Sequence, residues 1–217
     1  MKFILKGICN SSTILQTQNS QLSQLGFDLR PRSFNFTQGE NIKVMLGQTS
    51  IDQDISLLFE DEKDFVVREV SENIRNSLKE NQKLFLEFTG KTSLGDLEKL
   101  ETDYIWHYHD QERIRNIADT KFLKKIVIRH NDLEYLNSRG ELYGFFHLFS
   151  DYFNKVIIEI QVDWNTEIIY SMFEHFKLPV ISVEITNLIE TSYQNPNCEL
   201  INTFINTIKT NINNLKG

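Results

Sequence analysis

Residues 26–37 read Gly26-Phe27-Asp28-Leu29-Arg30-Pro31-Arg32-Ser33-Phe34-Asn35-Phe36-Thr37, a short strand that runs into a proline turn and then a polar loop. Side chains alternate along a strand, so Gly26–Arg30 puts Asp28 and Arg30 on one face. Pro31 locks its own φ and keeps the residue before it extended, which ends the strand in a tight turn. A strand that delivers charged side chains to its C-terminal end, and there opens into a loop, is the unit from which an α/β barrel presents a site.

Working outward, the same alternation of short apolar runs with longer amphipathic ones recurs along the chain, as expected of βα units and a parallel sheet. The runs Phe3–Ile8, Gly26–Arg30, Ile55–Phe59, Leu84–Phe88, Tyr104–Tyr108, Lys125–Ile128, Val156–Val162 and Val180–Ile185 read as strands. Helices are expected after Ser11-Ser12-Thr13 with Gly26 as the stop, over Gly39–Leu46, and along Val66, Val67, Val70, Ile74 and Leu78. Others follow from Ser93, over Gln111–Ala118, through Leu142, Phe145 and Phe146 to Phe153, and along Ile168, Ile169, Met172, Phe173 and Phe176. Pro179 opens the last strand, and Ile201, Phe204, Ile205, Ile208, Ile212 and Leu215 form the stripe of the final helix. Eight such units are what a closed parallel barrel requires, so the expectation is one (β/α)8 TIM-barrel domain over residues 1–217, with an open doubly wound sheet as the alternative.

Composition limits the partners. The chain has 217 residues, 40% of them hydrophobic, enough for a sizeable core. A net charge of -7 argues against a nucleic-acid or anionic-membrane partner. The opening Met-Lys-Phe-Ile-Leu-Lys is too short an apolar run for a signal peptide, and no run reaches a membrane span. The 2 cysteines, Cys9 and Cys198, lie far apart and make no disulfide framework, so a cytoplasmic protein, monomeric or homodimeric, is expected.

Read by parity, the polar residues near the strand ends are Lys6, Asp28, Arg30, Glu60, Glu87, Thr89, His107, His109, Arg129, Glu159, Gln161, Glu184 and Thr186. Buried charges cost several kcal/mol each unless paired, so the ring is either a self-satisfied salt-bridge plug or a working mouth. His107 and His109, two apart on a strand, point the same way and could share a metal with Glu87 or Glu159. No defining ligand spacing accompanies them, and a hydrogen-bonded wall residue is the other reading. No cofactor motif is present, and Gly, at 9 residues, is scarce for phosphate-cradling loops.

Leu5-Lys6-Gly7-Ile8-Cys9-Asn10, Gly26-Phe27 with Pro31-Arg32-Ser33, and Phe85-Leu86-Glu87-Phe88-Thr89-Gly90 together resemble the first, second and fourth strands of phosphoribosylanthranilate isomerase, a (β/α)8 barrel of tryptophan biosynthesis. The resemblance implies that fold and an Amadori rearrangement, an aldose–ketose conversion needing a general base and a general acid. Lys6 matches the family's catalytic Cys, Arg129 its catalytic Asp, and Asn35 its substrate-contacting Arg. The loops matching its Gly-rich phosphate loops, Asp163-Trp164-Asn165 and Thr186-Asn187-Leu188, contain no Gly.

Three functions follow. In the first, a divergent isomerase acts on a small phosphorylated sugar derivative. Lys6 is then base or Schiff-base former, Glu87, Glu159 or Glu184 the proton donor, and Arg129 a further catalytic group. Asp28, Arg30, Arg32, Asn35, His107 and His109 contact the substrate, with Arg30 and Arg129 holding its anion. In the second, the barrel is non-catalytic and binds a metabolite or a protein. The third is a metal-dependent lyase or hydrolase built on His107 and His109.

Overall fold

The computed structural model describes residues 1–49, 51–90, 92–108, 120–150, 156–164 and 180–215. Eight parallel strands close into a barrel in chain order: β1 (Lys2–Lys6), β2 (Gln24–Asp28), β3 (Asp54–Phe59), β4 (Leu84–Phe88), β5 (Tyr104–His107), β6 (Leu123–Arg129), β7 (Ile157–Val162) and β8 (Val180–Glu184). Pairing of Lys2 with Val180 through Lys6 with Glu184 joins the last strand to the first. The open-sheet alternative is thereby removed. The described helices are α1 (Ser11–Thr17), α2 (Gly39–Gln48), α3 (Asp64–Arg75), α4 (Leu94–Glu98), α5 (His130–Ser138), α6 (Leu142–Ser150) and α7 (Cys198–Leu215). A hairpin of β9 (Glu190–Ser192) and β10 (Asn195–Pro196) follows β8. The expected helices over 111–118 and 168–176, and Phe153 and Pro179, lie outside the described residues.

Strict alternation sorts each strand into two sets. Phe3, Leu5, Leu25, Phe27, Ile55, Leu57, Phe59, Leu86, Tyr104, Trp106, Ile126, Ile128, Ile158, Ile160, Ile181 and Val183 join the large core between barrel and helices. Their neighbours face the barrel axis, where Phe85, Ile105 and Val127 form a small apolar cluster of their own. Ile201, Ile205, Ile208 and Ile212 of α7 are buried as their helical spacing demands.

Boundaries differ from the sequence reading: β1 ends at Lys6 and not Ile8, and β2 runs Gln24–Asp28 and not Gly26–Arg30, which leaves Arg30 on the turn. Gly26 does not end a helix; α1 stops at Thr17, a 3-10 turn covers Gln18–Ser20, Gln21 takes a left-handed φ of 52°, and Gly26 sits inside β2. The reason is packing. A Cβ on Gly26 would lie 3.0 Å from Lys6 Cγ and 3.2 Å from both Lys6 Cα and Ser56 Oγ. Position 26 is bare because the Lys6 stem occupies that space.

Candidate functional site

Asp28, the last residue of β2, organises the loop that follows it. Its carboxylate is buried and accepts from the Arg30 backbone N–H (3.0 Å), from Arg30 Nε (2.9 Å) and Nη2 (2.6 Å), and from the Ser33 hydroxyl. The turn closes with Ser33 N–H donating to the Arg30 carbonyl at 2.9 Å, with Pro31 at the favoured position. Thr37 N–H then returns to the Asp28 carbonyl at 2.7 Å.

Asn35 is buried and its side-chain amide donates to the Ile185 carbonyl beyond β8 at 2.5 Å. It packs on Gly7, whose φ of 77° suits glycine and whose missing Cβ would lie 2.5 Å from Asn35 Nδ2. Asn35 therefore straps the loop across the barrel end, a different post from the substrate contact the resemblance implies. Arg32 is exposed on the turn.

Deeper in the barrel, side chains from non-adjacent strands meet, which only inward-facing residues can do. Lys6 Nζ on β1 contacts Glu87 Oε1 on β4 and lies 2.6 Å from Glu159 Oε1 on β7. His107 Nε2 on β5 is 2.6 Å from the same Glu87 oxygen. Lys6 is 2% exposed, Glu87 and Glu159 0%, and His107 9%. Below them Lys125 on β6 donates to Gln24 Oε1 on β2, with its ammonium 4.9 Å from the centre of the Phe85 ring.

Burial alone would push the Lys6 ammonium down, but Glu159 and Glu87 more than reverse this and hold it protonated above its ordinary range. Burial would raise Glu87, yet Lys6 and His107 keep its carboxyl well below the carboxylate range. Burial pushes His107 down, with Glu87 opposing only in part. It lowers Lys125 as well, beyond what Glu159 and Glu87 restore. The assembly is a charge-balanced plug around a lysine that carries a proton and has none to take.

The rim above is more open. Glu184, at the end of β8, accepts from Arg30 Nη2 at 3.3 Å and from Gln161 Nε2 on β7 at 3.2 Å, and Trp164 Nε1 donates to its carbonyl. Its side chain is 27% exposed and that of Arg30 23%. Burial raises the Glu184 carboxyl, which Arg30 and Lys6 counter only in part.

Arg129 stands apart. Its side chain is 66% exposed and lies along the first turn of α5, bonded to Asp132 at 3.0 Å through both Nε and Nη2. A carboxylate three residues on, at a helix start, captures a rim guanidinium that would otherwise lean over the mouth. His109 lies outside the described residues, and among those described no three His, Cys, Asp or Glu side chains are grouped to hold a metal. Lys125 and Gln24 were missed from sequence, although the parity that selects Arg129 as inward also selects Lys125. Cys9 and Cys198 are free thiols, and burial with Glu190 nearby pushes Cys9 up to about 11. No described helix is long and apolar enough to cross a membrane.

No family model and no curated protein matches this sequence. Among solved structures the chain is similar to phosphoribosyl anthranilate isomerase from Thermotoga maritima, at 12% identity and a TM-score of 0.67, over 97% of this chain and 99% of that one. It is also similar to N-(5'-phosphoribosyl)anthranilate isomerase from Pyrococcus furiosus, at 10% identity and a TM-score of 0.66 over 97% and 99% of the two chains. N-acetylneuraminate lyase from Fusobacterium nucleatum matches less fully, at 8% identity and a TM-score of 0.55 over 83% and 69%. The chain thus has the barrel fold of the phosphoribosylanthranilate isomerases, as residues 5–10 and 26–37 implied, and identities this low speak to the fold alone.

Proposed function

We propose that this protein is a ligand-binding barrel of isomerase-like fold, one domain over residues 1–217, that does not carry out the isomerase's proton shift. The observation that carries this reading is the state of Lys6. A general base must be unprotonated and within reach of a carbon-bound proton. Lys6 is 2% exposed, and Glu87 and Glu159 clamp its ammonium in the protonated form. The same clamp opposes Schiff-base formation, which needs a free amine. Arg129 is engaged by Asp132 and is charged at any workable pH, so it supplies no acid. Binding falls instead to the rim, where Arg30, Glu184 and Gln161 keep partial access to solvent.

The direct test is to express the protein in a strain lacking phosphoribosylanthranilate isomerase. No growth without tryptophan is expected, and purified protein should not turn over phosphoribosylanthranilate. Restored growth would overturn the reading.

One observation favours a catalytic alternative, an isomerase-like conversion of a small sugar derivative. Glu184 is a rim carboxyl with a raised pKa, the state suited to a proton donor. If Glu184 is a donor, Glu184→Gln would abolish turnover of any substrate found while leaving its affinity within a few-fold.

A further inference from the structure

The β9–β10 hairpin does more than connect β8 to α7. With α1 and the start of α7 it walls a cleft of about 370 Å³ that includes none of the mouth residues. We propose that this cleft binds a small neutral polyhydroxylated molecule, of monosaccharide size, independently of whatever the mouth receives.

Two βα connections build the cleft. Asn10 follows β1 and caps α1, and the hairpin follows β8, the strand paired with β1. Both leave C-terminal strand ends, the face on which barrels place their sites. The volume falls at the small end of the range of about 300–1,000 Å³ found for small-molecule sites. Its walls are tied together by the chain itself. Asn10 Oδ1 accepts from Thr13 N–H at 2.8 Å, and its amide donates to the Gln194 carbonyl at 2.5 Å. Gln194 holds that carbonyl in place at a left-handed φ of 58°. Across the hairpin, the Thr191 hydroxyl donates to the Asn195 carbonyl at 3.0 Å, and Asn197 N–H returns to the Ile189 carbonyl at 2.7 Å. Walls fixed in this way lower the ordering cost of binding.

The lining side chains set the chemistry of the ligand. Asn10, Ser12 and Gln16 line one side, Asn195, Asn197 and Glu199 the other, and no described Lys, Arg or His joins them. A phosphate would find no cation there and would meet the Glu199 carboxylate. Gln16 Nε2 donates to the Ser12 hydroxyl at 2.6 Å, which leaves Gln16 Oε1 to accept and the Ser12 O–H to donate. Asn197 uses its Oδ1 on Leu200 N–H at 3.0 Å and keeps its amide N–H groups. Asn195 does the reverse: its amide donates to the Ser192 hydroxyl and the Tyr193 carbonyl, and its Oδ1 stays open. Glu199 is exposed and has no partner among the described residues. Open donors and open acceptors therefore share one cleft. A hydroxyl is the group that both donates and accepts, so a ligand carrying several of them matches both kinds. An ammonium would satisfy the acceptors and leave Ser12 and Asn197 facing a donor. Pro196 adds an apolar ring for the C–H face of a polyol.

The test follows the side-chain amide resonances of the full chain by NMR, with D-ribose, D-glucose and myo-inositol as neutral probes and inorganic phosphate and putrescine as charged ones. At least one neutral probe is expected to shift Gln16, Asn195 and Asn197 saturably while leaving Asn41, on the exposed face of α2, in place. Neither charged probe should do so. Glu199→Ala should weaken the binding about tenfold by removing an acceptor, and Ser12→Trp should abolish it by filling the cleft. An unchanged thermal midpoint in each variant separates lost binding from lost folding. No saturable shift with any neutral probe, equal shifts with phosphate or putrescine, or binding that survives in a folded Ser12→Trp protein would overturn the proposal.

Discussion

Lys6 is a long cationic side chain in a place where a barrel ordinarily stores apolar volume, and its neighbours explain how it is tolerated. Gly26 makes room for its stem, and two carboxylates on opposite strands neutralise its head. Breaking a buried pair by removing one partner leaves an uncompensated charge, which costs about 3–5 kcal/mol. Lys6→Met is therefore expected to lower the urea unfolding free energy by about that amount. Adding Glu159→Gln to Lys6→Met should recover part of the loss, because one of the two stranded charges is then gone. A Lys6→Met protein as stable as the parent would show that the plug is not held by this pairing.

At the scale of elements, β2 and α7 make the clearest cases. β2 reads Gln24-Leu25-Gly26-Phe27-Asp28, with Leu25 and Phe27 in the outer core and Gly26 under Lys6. Gly26→Val would add β propensity but collide with the Lys6 backbone and with Ser56. Overpacking of this kind costs about 1–3 kcal/mol, so a lower unfolding midpoint is expected despite the better strand former. In α7, Ile205 is fully buried beneath an 18-residue helix whose exposed face is polar. Ile205→Ala should cost about 2–5 kcal/mol by leaving a cavity. A change at the exposed neighbour Asn206 should stay within about 0.5 kcal/mol. Equal losses at the two positions would contradict the packing of this helix on the barrel.

For the molecule as a whole, the interior charges set how stability responds to acid. In the unfolded chain His107 takes up a proton near its ordinary value of 6.5, whereas burial resists that proton in the fold. Between the folded and unfolded values the unfolded state binds more protons, so stability falls as pH drops through about 6.5. Glu87 adds a second loss: its folded value lies below its ordinary 4.5, so the stability it contributes above that pH disappears as pH falls further. Lys6 is raised above 10.5, and its contribution stays intact over this whole range and is lost only under strongly alkaline conditions. Thermal midpoints measured from neutral pH downward should fall in two steps. His107→Gln should shrink the upper step, the remainder belonging to His130, which burial also lowers, and spare the lower one. A midpoint flat between pH 7 and pH 5 would contradict the buried neutral imidazole.

The closed barrel, the placement of its strands and the alternation that turns Lys6, Asp28, Glu87, His107, Glu159 and Glu184 toward the axis were all legible in the chain. Each depends on local periodicity and on the count of βα units, which are properties of neighbouring residues. What the tertiary structure decided is which of those charges meet, and which leave. Closure of the ring brings β1 against β4 and β7 across the axis and seats Lys125 on Gln24, partners at least 81 residues apart that no local pattern connects. Asn35 became a strap because Gly7 leaves it room beside Ile185. Arg129, inward by parity, was drawn off the mouth by Asp132, since a side-chain torsion at a strand end answers to the nearest opposite charge. The residues 26–37 carry both lessons: their pattern predicts a strand and a turn, while only the closed barrel explains why position 26 has no side chain.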